Sequence, residues 1–388
     1  MSWPLKSMLP QSGFTKGGGY PLRTPVIDLV EVGAGGGSIA WIDSVGALHV
    51  GPRSAGAEPG PVCYGKGGVE PTVTDANLVL GRLCEEHFLG GAVRLDKQGA
   101  TNALKKLAEA LGLELLEAAY GVIEIANASM LRAMRSISVE RGYDPRDFSF
   151  IVFGGAGPLH ANALAAELEV KRVIIPPSPG VASALGLIVT DVKHDYSVTR
   201  TQRLDTANLD EINATYSRFE ADARAQLARD GIAERDMKLL RFMDVRYVGQ
   251  SYELRLPVPH GKLSRKDLEE IIAAFHEEHE RVYGHAERTE PVEMVNLRLE
   301  AVGVIVKPRL KRLHKASGPP DNAVIHVRDV YFGDEGLVSC KVYDRRRLLF
   351  GHVVEGPAIV EEHDSTTVIL PGYGAEVDEL GNLIILKM

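Results

Sequence analysis

One segment concentrates the residue types that chemistry would need. Phe153-Gly154-Gly155-Ala156-Gly157-Pro158-Leu159-His160 sets a glycine-rich turn between an apolar run and a helix start. Glycines in such a turn let backbone N–H groups and the positive end of a helix face an anion, or let a flat ring lie against the chain. Gly154, Gly155, Ala156, Gly157 and Pro158 are therefore candidate nucleotide contacts. The alternative is a tight β-to-α connection in which glycine serves packing alone. The dinucleotide fingerprint would need glycine where His160 stands, and no Gly-Lys-Ser/Thr follows to make a phosphate loop of that kind. A second cluster, GAGGGSIA at 33–40, offers Gly35, Gly36, Gly37 and Ser38 as a candidate phosphate or substrate loop, with Ser38 as a donor. A tightly turned connection is the competing reading there.

Other polar residues carry weaker signals. His276 and His279 are three apart, whereas the metalloprotease pattern spaces histidines by four with Glu after the first. Their charged surroundings predict a solvated helix face. Cys63, Cys84 and Cys340 show no C-x-x-C spacing, so neither a disulfide framework nor a structural zinc site is expected, and no metal ligands are assigned. A reducing, cytoplasmic location follows from the same cysteine usage. There is no G-x-S-x-G elbow and no Cys/His pair placed for nucleophilic catalysis, which leaves the catalytic residues unassigned. Asp75 reads as a helix N-cap and Glu140 as an ion-pair partner at a helix end.

The elements that must position these residues follow from periodicity. PVIDLVEV (25–32) predicts a short buried strand, and 46–74 is too rich in Gly and Pro for regular structure, which predicts an ordered loop. Helices are expected after Asp75, over 96–111 ending at Gly112, and over 114–141. In the last, Leu115, Ala119, Val122, Ala126, Met130, Ala133 and Ile137 form a stripe at helical spacing. FSFIVF, the glycine turn, LHANALAAELEV and KRVIIPP make a β-α-β unit, hence parallel pairing in an α/β sheet. Beyond it, 205–236 and 264–283 read as helices, with strands in 241–258 and 292–306. The tail from 322 is strand-rich, through AVIHVRDVYF, LVSCKVYD, PAIVEE, TTVILP and NLIILK. The expected domains are 1–200, 201–310 and 311–388.

The 388 residues give ample length for a large core, and 45% apolar with 25% charged residues is ordinary for a globular protein. With 44 basic against 52 acidic residues the net charge is −8, which disfavours a nucleic-acid partner or an anionic membrane surface. No run of 18 apolar residues exists, so no membrane span is expected. Glycine numbers 40, and 18 of these fall in the first 91 residues without a G-X-Y period. Residues 1–22 have no apolar stretch of the secretory kind and no periodicity, as if the chain began partway through a domain.

Several longer stretches occur together and in order: EVGAGGGSIAWID, GPRSAGAEPGPVCYGKGG with EPTVTDANLVLGRL, VERGYDPRDFSFIVFGGAGPLHA, PPSPGVASALGL, RYVGQSYEL, YGH at 283–285 and GPAIVEEHDSTTVILPG. From about residue 20 to the end the chain resembles the hydantoinase A / 5-oxoprolinase family. The resemblance implies part of an actin-like, sugar-kinase-like ATPase fold, α/β in class, followed by a strand-rich α+β C-terminal region. It implies ATP and Mg²⁺ as cofactors, a small-molecule substrate and phosphorylation of a carbonyl-derived oxygen. It also assigns Gly154 to Pro158 to the adenosine-contact turn of that fold.

Family members begin with an Asp-x-Gly-Gly-Thr-type phosphate loop and carry a second one just before the equivalent of residue 20. Neither is present here. The resemblance therefore implies the C-terminal half of such an enzyme, with the phosphate loops on another chain and a hydantoinase B-type subunit as a further partner. This chain alone is expected to lack a complete active site. Three readings stand: a cyclic-amide hydrolase half, a subunit of an acetone- or acetophenone-type ketone carboxylase, and a non-catalytic assembly subunit.

Overall fold

The computed structural model describes residues 29–388. Positions 25–28 of the expected first strand, and the N-terminal 22 residues, lie outside them, while 29–32 form no strand. The chain divides into two compact units. One joins the residues up to Ala184 with Leu310–Met388, and the other is Leu185–Arg309.

The first unit opens with β1 (Ser38–Ile42) and β2 (Leu48–Ser54), paired antiparallel. The stretch expected as loop from residue 46 thus begins with a strand. Ala40 faces Val50 across the pair, and the Trp41 ring stacks on His49 at 4.8 Å. Such cross-strand contacts stabilise a strand whose apolar alternation is broken by Gly51-Pro52. Then come α1 (Val73–Val79), α2 (Lys97–Leu111) and α3 (Leu115–Ile137). The Asp96 carboxylate accepts the Gly99 N–H at 2.9 Å to start α2, and Gly112 at φ 68° ends it. α3 stops short of residue 141, because Ser138 at φ −118° leaves helical geometry and Val139–Arg141 forms a 3₁₀ turn. Leu78, Leu104, Val122 and Ile123 bury their side chains in one core, joined by Val330 and Val342 from the C-terminal strands.

β3 (Ser149–Ile151), α4 (Gly157–Glu167) and β4 (Arg172–Ile175) form the expected β-α-β unit, with β3 and β4 parallel. α5 (Ala182–Val189) carries the chain onward.

The second unit contains β5 (Val192–Arg203), α6 (Leu209–Arg229), β6 (Met237–Tyr247), β7 (Leu254–Val258), α7 (Arg265–Tyr283) and β8 (Val292–Gly303). The strands make one antiparallel sheet in the order β5-β8-β6-β7. Tyr216 of α6 and Phe275 and Leu268 of α7 pack into a shared core with Met243 and Leu297 of the sheet. His276 and His279 do not lie on a solvated face: both are buried. His276 Nδ1 meets Tyr247 Oη at 2.9 Å, and His279 Nδ1 meets the His285 carbonyl at 2.7 Å. The charged neighbours misled because they occupy the other faces of an amphipathic helix.

The chain then returns to the first unit through β9 (Val324–Tyr331), β10 (Leu337–Asp344), β11 (Val353–Glu355), β12 (Ala358–Glu361), β13 (Thr366–Ile369), β14 (Tyr373–Val377) and β15 (Leu383–Lys387). These build a sheet β13-β12-β10-β9 and complete another, β11-β14-β15-β4-β3. Leu383 of β15 pairs with Ile175 of β4, so the last strand of the chain extends the sheet that the β-α-β unit begins.

Candidate functional site

The two glycine turns picked out by sequence come together. Thr74, in the first turn of α1, donates both its N–H and its hydroxyl to the Gly36 carbonyl, at 2.9 and 2.8 Å. A Cβ on Gly36 would sit 2.8 Å from Thr74 Oγ1 and 3.8 Å from the Ala156 methyl. In the second turn Gly154 takes φ +89° and gives its N–H to the Pro179 carbonyl at 2.6 Å. Among the described residues, nothing accepts from the N–H groups of Gly155, Ala156 or Gly157. Three donors at the start of an eleven-residue helix, with Gly155 exposed, form an anion-receptive edge. Ser38 is different. Its hydroxyl accepts from Gly35 N–H at 2.9 Å and reaches the Gly33 carbonyl at 3.5 Å, so it closes its own turn and is buried.

A third element reaches this place from far along the sequence. The loop between β12 and β13 brings the Asp364 carbonyl to 3.2 Å from where a Gly155 Cβ would lie, and a Cβ on Gly180 would collide with the Asp364 carboxylate. Glu362 Oε2 accepts from Ser178 N–H at 2.9 Å, and Ser178 takes the left-handed φ of 50°. Burial raises the Glu362 carboxyl above its usual range, opposed by the Arg345 guanidinium 3.5 Å away. Asp364 Oδ2 and Glu362 Oε1 are buried with no hydrogen-bond partner among the described residues. Both segments, PPSPGVASALGL and GPAIVEEHDSTTVILPG, stood out in the sequence, but nothing local to either indicated that they meet.

Asp75 is not the helix cap. Thr72 caps α1, and Asp75 stands three positions in, closing a capping box. Fully buried, it accepts from the N–H groups of Val62 (3.2 Å), Cys63 (2.8 Å) and Thr72 (2.8 Å) and from Thr72 Oγ1 (2.8 Å). The carboxyl therefore fastens the 60–64 segment to the helix whose first turn holds the Gly36 loop.

Comparison with known proteins agrees with this architecture. The hydantoinase/oxoprolinase family matches residues 7–196, and the hydantoinase/oxoprolinase C-terminal domain matches 199–387. The chain belongs to the hydantoinase/oxoprolinase family. An uncharacterized protein of Methanocaldococcus jannaschii is 46% identical over 376 residues, which are 95% of this chain and 52% of that protein. The caprolactamase alpha subunit of Pseudomonas jessenii is 37% identical over 366 residues, 92% of this chain and 52% of that subunit. The nucleotide-free structure of acetone carboxylase superposes with a TM-score of 0.84 at 27% identity, over 92% of this chain and 52% of that one. The chain thus spans about half the length of these two curated relatives. The fold is α/β, part of an ATPase-like fold with a strand-rich α+β C-terminal region. Among the described residues no helix is long and apolar enough to cross a membrane.

In this hydantoinase/oxoprolinase chain, α4 is anchored from below by a buried polar pair. His160 Nδ1 lies 2.8 Å from Asn127 Oδ1 of α3, and the ring is 1% exposed. Burial and the nearby Arg82 guanidinium lower its pKa from 6.5 to about 4. Folded His160 therefore stays neutral where the unfolded chain takes up a proton. Its stabilisation is full above pH 6.5 and is lost as the pH falls towards 4, by about 3 kcal/mol in total. Urea midpoints between pH 7 and 4 are expected to fall more steeply for the wild type than for His160→Gln. Parallel slopes would contradict the assignment.

Two further features are a cleft and a side-chain grouping. An open cleft of about 520 Å³ is lined by Gly33 of the first glycine segment, by Gly51 and its neighbours on β2, and by Ile125, Ser129 and Arg132 of α3. The fold also places Cys84, His326 and Glu361 with ligand atoms within 4.8 Å of one another, a grouping that cysteine spacing alone does not disclose.

Proposed function

We propose that this chain is the C-terminal part of an ATP-dependent cyclic-amide hydrolase of the hydantoinase/5-oxoprolinase type. One observation carries the reading: three unclaimed N–H groups at the start of α4 stand beside a second glycine turn, in a chain 37% identical to a caprolactamase subunit. The residues fit the adenosine side of ATP. Gly154, Gly155, Ala156, Gly157 and Pro158 would contact it, with Gly35, Gly36 and Gly37 alongside. When bound, ATP would supply a phosphoryl group to the amide oxygen, which would activate the carbonyl carbon towards water; the C–N bond would then break with a proton going to the ring nitrogen, and a second water would release phosphate from the acyl phosphate so formed. Thr74 and Ser38 shape the first turn, and Glu362 and Asp364 hold the second turn's outer wall in place. Mg²⁺ belongs with the Asp-x-Gly-Gly-Thr-type loops, which are not among these 388 residues. A segment carrying them and a hydantoinase B-type subunit would complete the enzyme.

A ketone carboxylase subunit is the second reading, supported by the acetone carboxylase superposition. The assembled enzyme, given caprolactam, 5-oxoproline or hydantoin, is expected to release ADP in step with ring opening. ADP release that instead needs a ketone with bicarbonate, and incorporates the bicarbonate, would establish the carboxylase. No ADP release with either set would leave only the assembly role.

A further inference from the structure

Cys84 lies in the turn after α1, His326 on β9 and Glu361 at the end of β12. These positions are up to 277 residues apart in sequence, yet their ligand atoms all fall within 4.8 Å of one another. The set is chemically mixed: one thiol, one imidazole and one carboxylate. Glu361 is 9% exposed, and its Oε2 has no hydrogen-bond partner among the described residues. Its other oxygen accepts from Arg328 at 2.6 Å. Cys84 is a free, half-buried thiol. His87, exposed in the same turn, brings its ring centroid to 6.2 Å from that of His326.

We infer that these residues form a binding site for a thiophilic divalent cation, zinc or its substitute cobalt. Thiolate, imidazole and carboxylate are zinc's ligand types, with bonds of about 2.0–2.3 Å and hence edges near about 3.5 Å in a tetrahedron. Closing from 4.8 Å needs a shift of about an ångström, within reach of side-chain rotation at two half-buried ligands. Deprotonated Cys84 and Glu361 supply two negative charges, the second shared with the Arg328 guanidinium, and binding of the thiolate releases the thiol proton to solvent. His87 or water takes the fourth position. Arg328 then plays the part usual beside a ligating carboxylate: it holds the oxygen that the metal does not use and, through the Arg82 carbonyl at 2.9 Å, fixes the Cys84 turn. Loading exchanges at most the 3.3 Å contact between Arg328 and His326 Nε2. Magnesium, which prefers an all-oxygen octahedron, does not suit a thiolate. The site ties the turn after α1 to β9 and β12, and its loading is read by absorbance and Tm without any activity.

The test is cobalt and zinc titration of the full chain after chelator treatment. One equivalent of Co²⁺ is expected to give a thiolate-to-cobalt charge-transfer band, and Zn²⁺ to abolish it by displacement and raise the Tm. Cys84→Ser is expected to lose the band and the Zn²⁺-dependent Tm rise while keeping the wild-type circular dichroism. Cys63 and Cys340, both fully buried, supply no substitute thiolate. Glu361→Gln is expected to keep a band but weaken affinity by at least about 10-fold, the loss seen even for outer partners of a site. A wild-type chain with no band and no Tm response, or a band that survives Cys84→Ser, overturns the inference.

Discussion

Gly155→Val is expected to lower the ATP-dependent turnover of the assembled enzyme by about 100-fold while leaving the chain folded. The fold should survive because Gly155 is exposed and does not take a positive φ, so a β-branched residue meets no backbone penalty there. Its Cβ would come within 3.2 Å of the Asp364 carbonyl, which must yield by a few tenths of an ångström. The valine side chain then crowds the turn that carries the free N–H groups of Gly155, Ala156 and Gly157, where the proposed nucleotide must approach. A displacement of about 1 Å in a reacting group is worth about 100-fold in rate, which sets the expected size. Gly155→Ala is expected to fall between, since one methyl leaves room for part of the contact. Turnover measured at saturating amide with ATP varied separates the cases: a raised KM for ATP marks lost binding, and a lowered kcat with KM unchanged marks misplacement. Full activity in Gly155→Val would remove the nucleotide from this turn and favour an assembly role for the chain.

The sequence made the glycine turn and its flanking β-α-β unit legible because every contact needed to form them is local. Apolar strands, a helix-opening proline and a glycine at φ +89° are each written within a few residues. The helices α2, through Asp96 with Gly112, and α7, as a run over 264–283, were legible for the same reason. What was hidden depends on distant partners. β2 was lost because Gly51-Pro52 interrupts its alternation, although pairing with β1 supplies its hydrogen bonds. β5 was lost because it is half-exposed and takes its order from β8. Glu362 and Asp364 gave no sign of facing the glycine turn, since the pairing of β15 with β4 brings the C-terminal strands back across some 200 residues. His276 and His279 looked solvated because local charge density reports the outer faces of a helix and not the stripe beneath. The Cys84, His326 and Glu361 grouping escaped for a related reason: metal-ligand spacing rules describe ligands from one loop or helix, not three elements gathered by a sheet.

Asp75→Ala is expected to destabilise the chain by about 4 kcal/mol. The carboxyl accepts four hydrogen bonds at full burial, three of them from backbone N–H groups of Val62, Cys63 and Thr72. Truncation leaves those donors facing a space that solvent does not reach, and each unpaired buried donor costs about 1–3 kcal/mol. One of the three, the Thr72 N–H bond, is also one of the two reciprocal bonds of the capping box that starts α1. Asp75→Asn should lose roughly half as much, because one amide oxygen still accepts while the NH₂ group is turned on backbone donors. Burial and the neighbouring Asp75 carboxyl both push the Cys63 thiol above its ordinary titration range, which gives a second readout. In Asp75→Ala the carboxyl is gone and the 60–64 segment opens more often, so alkylation of Cys63 should accelerate well beyond the rate in the wild type. A guanidinium midpoint that falls at unchanged slope, together with faster Cys63 labelling, would place the loss in the native contacts of this carboxyl. A midpoint unchanged from wild type would mean that water satisfies the three N–H groups. In that case the Gly36 loop, held by Thr74 one residue before Asp75, would owe its position to Thr74 alone.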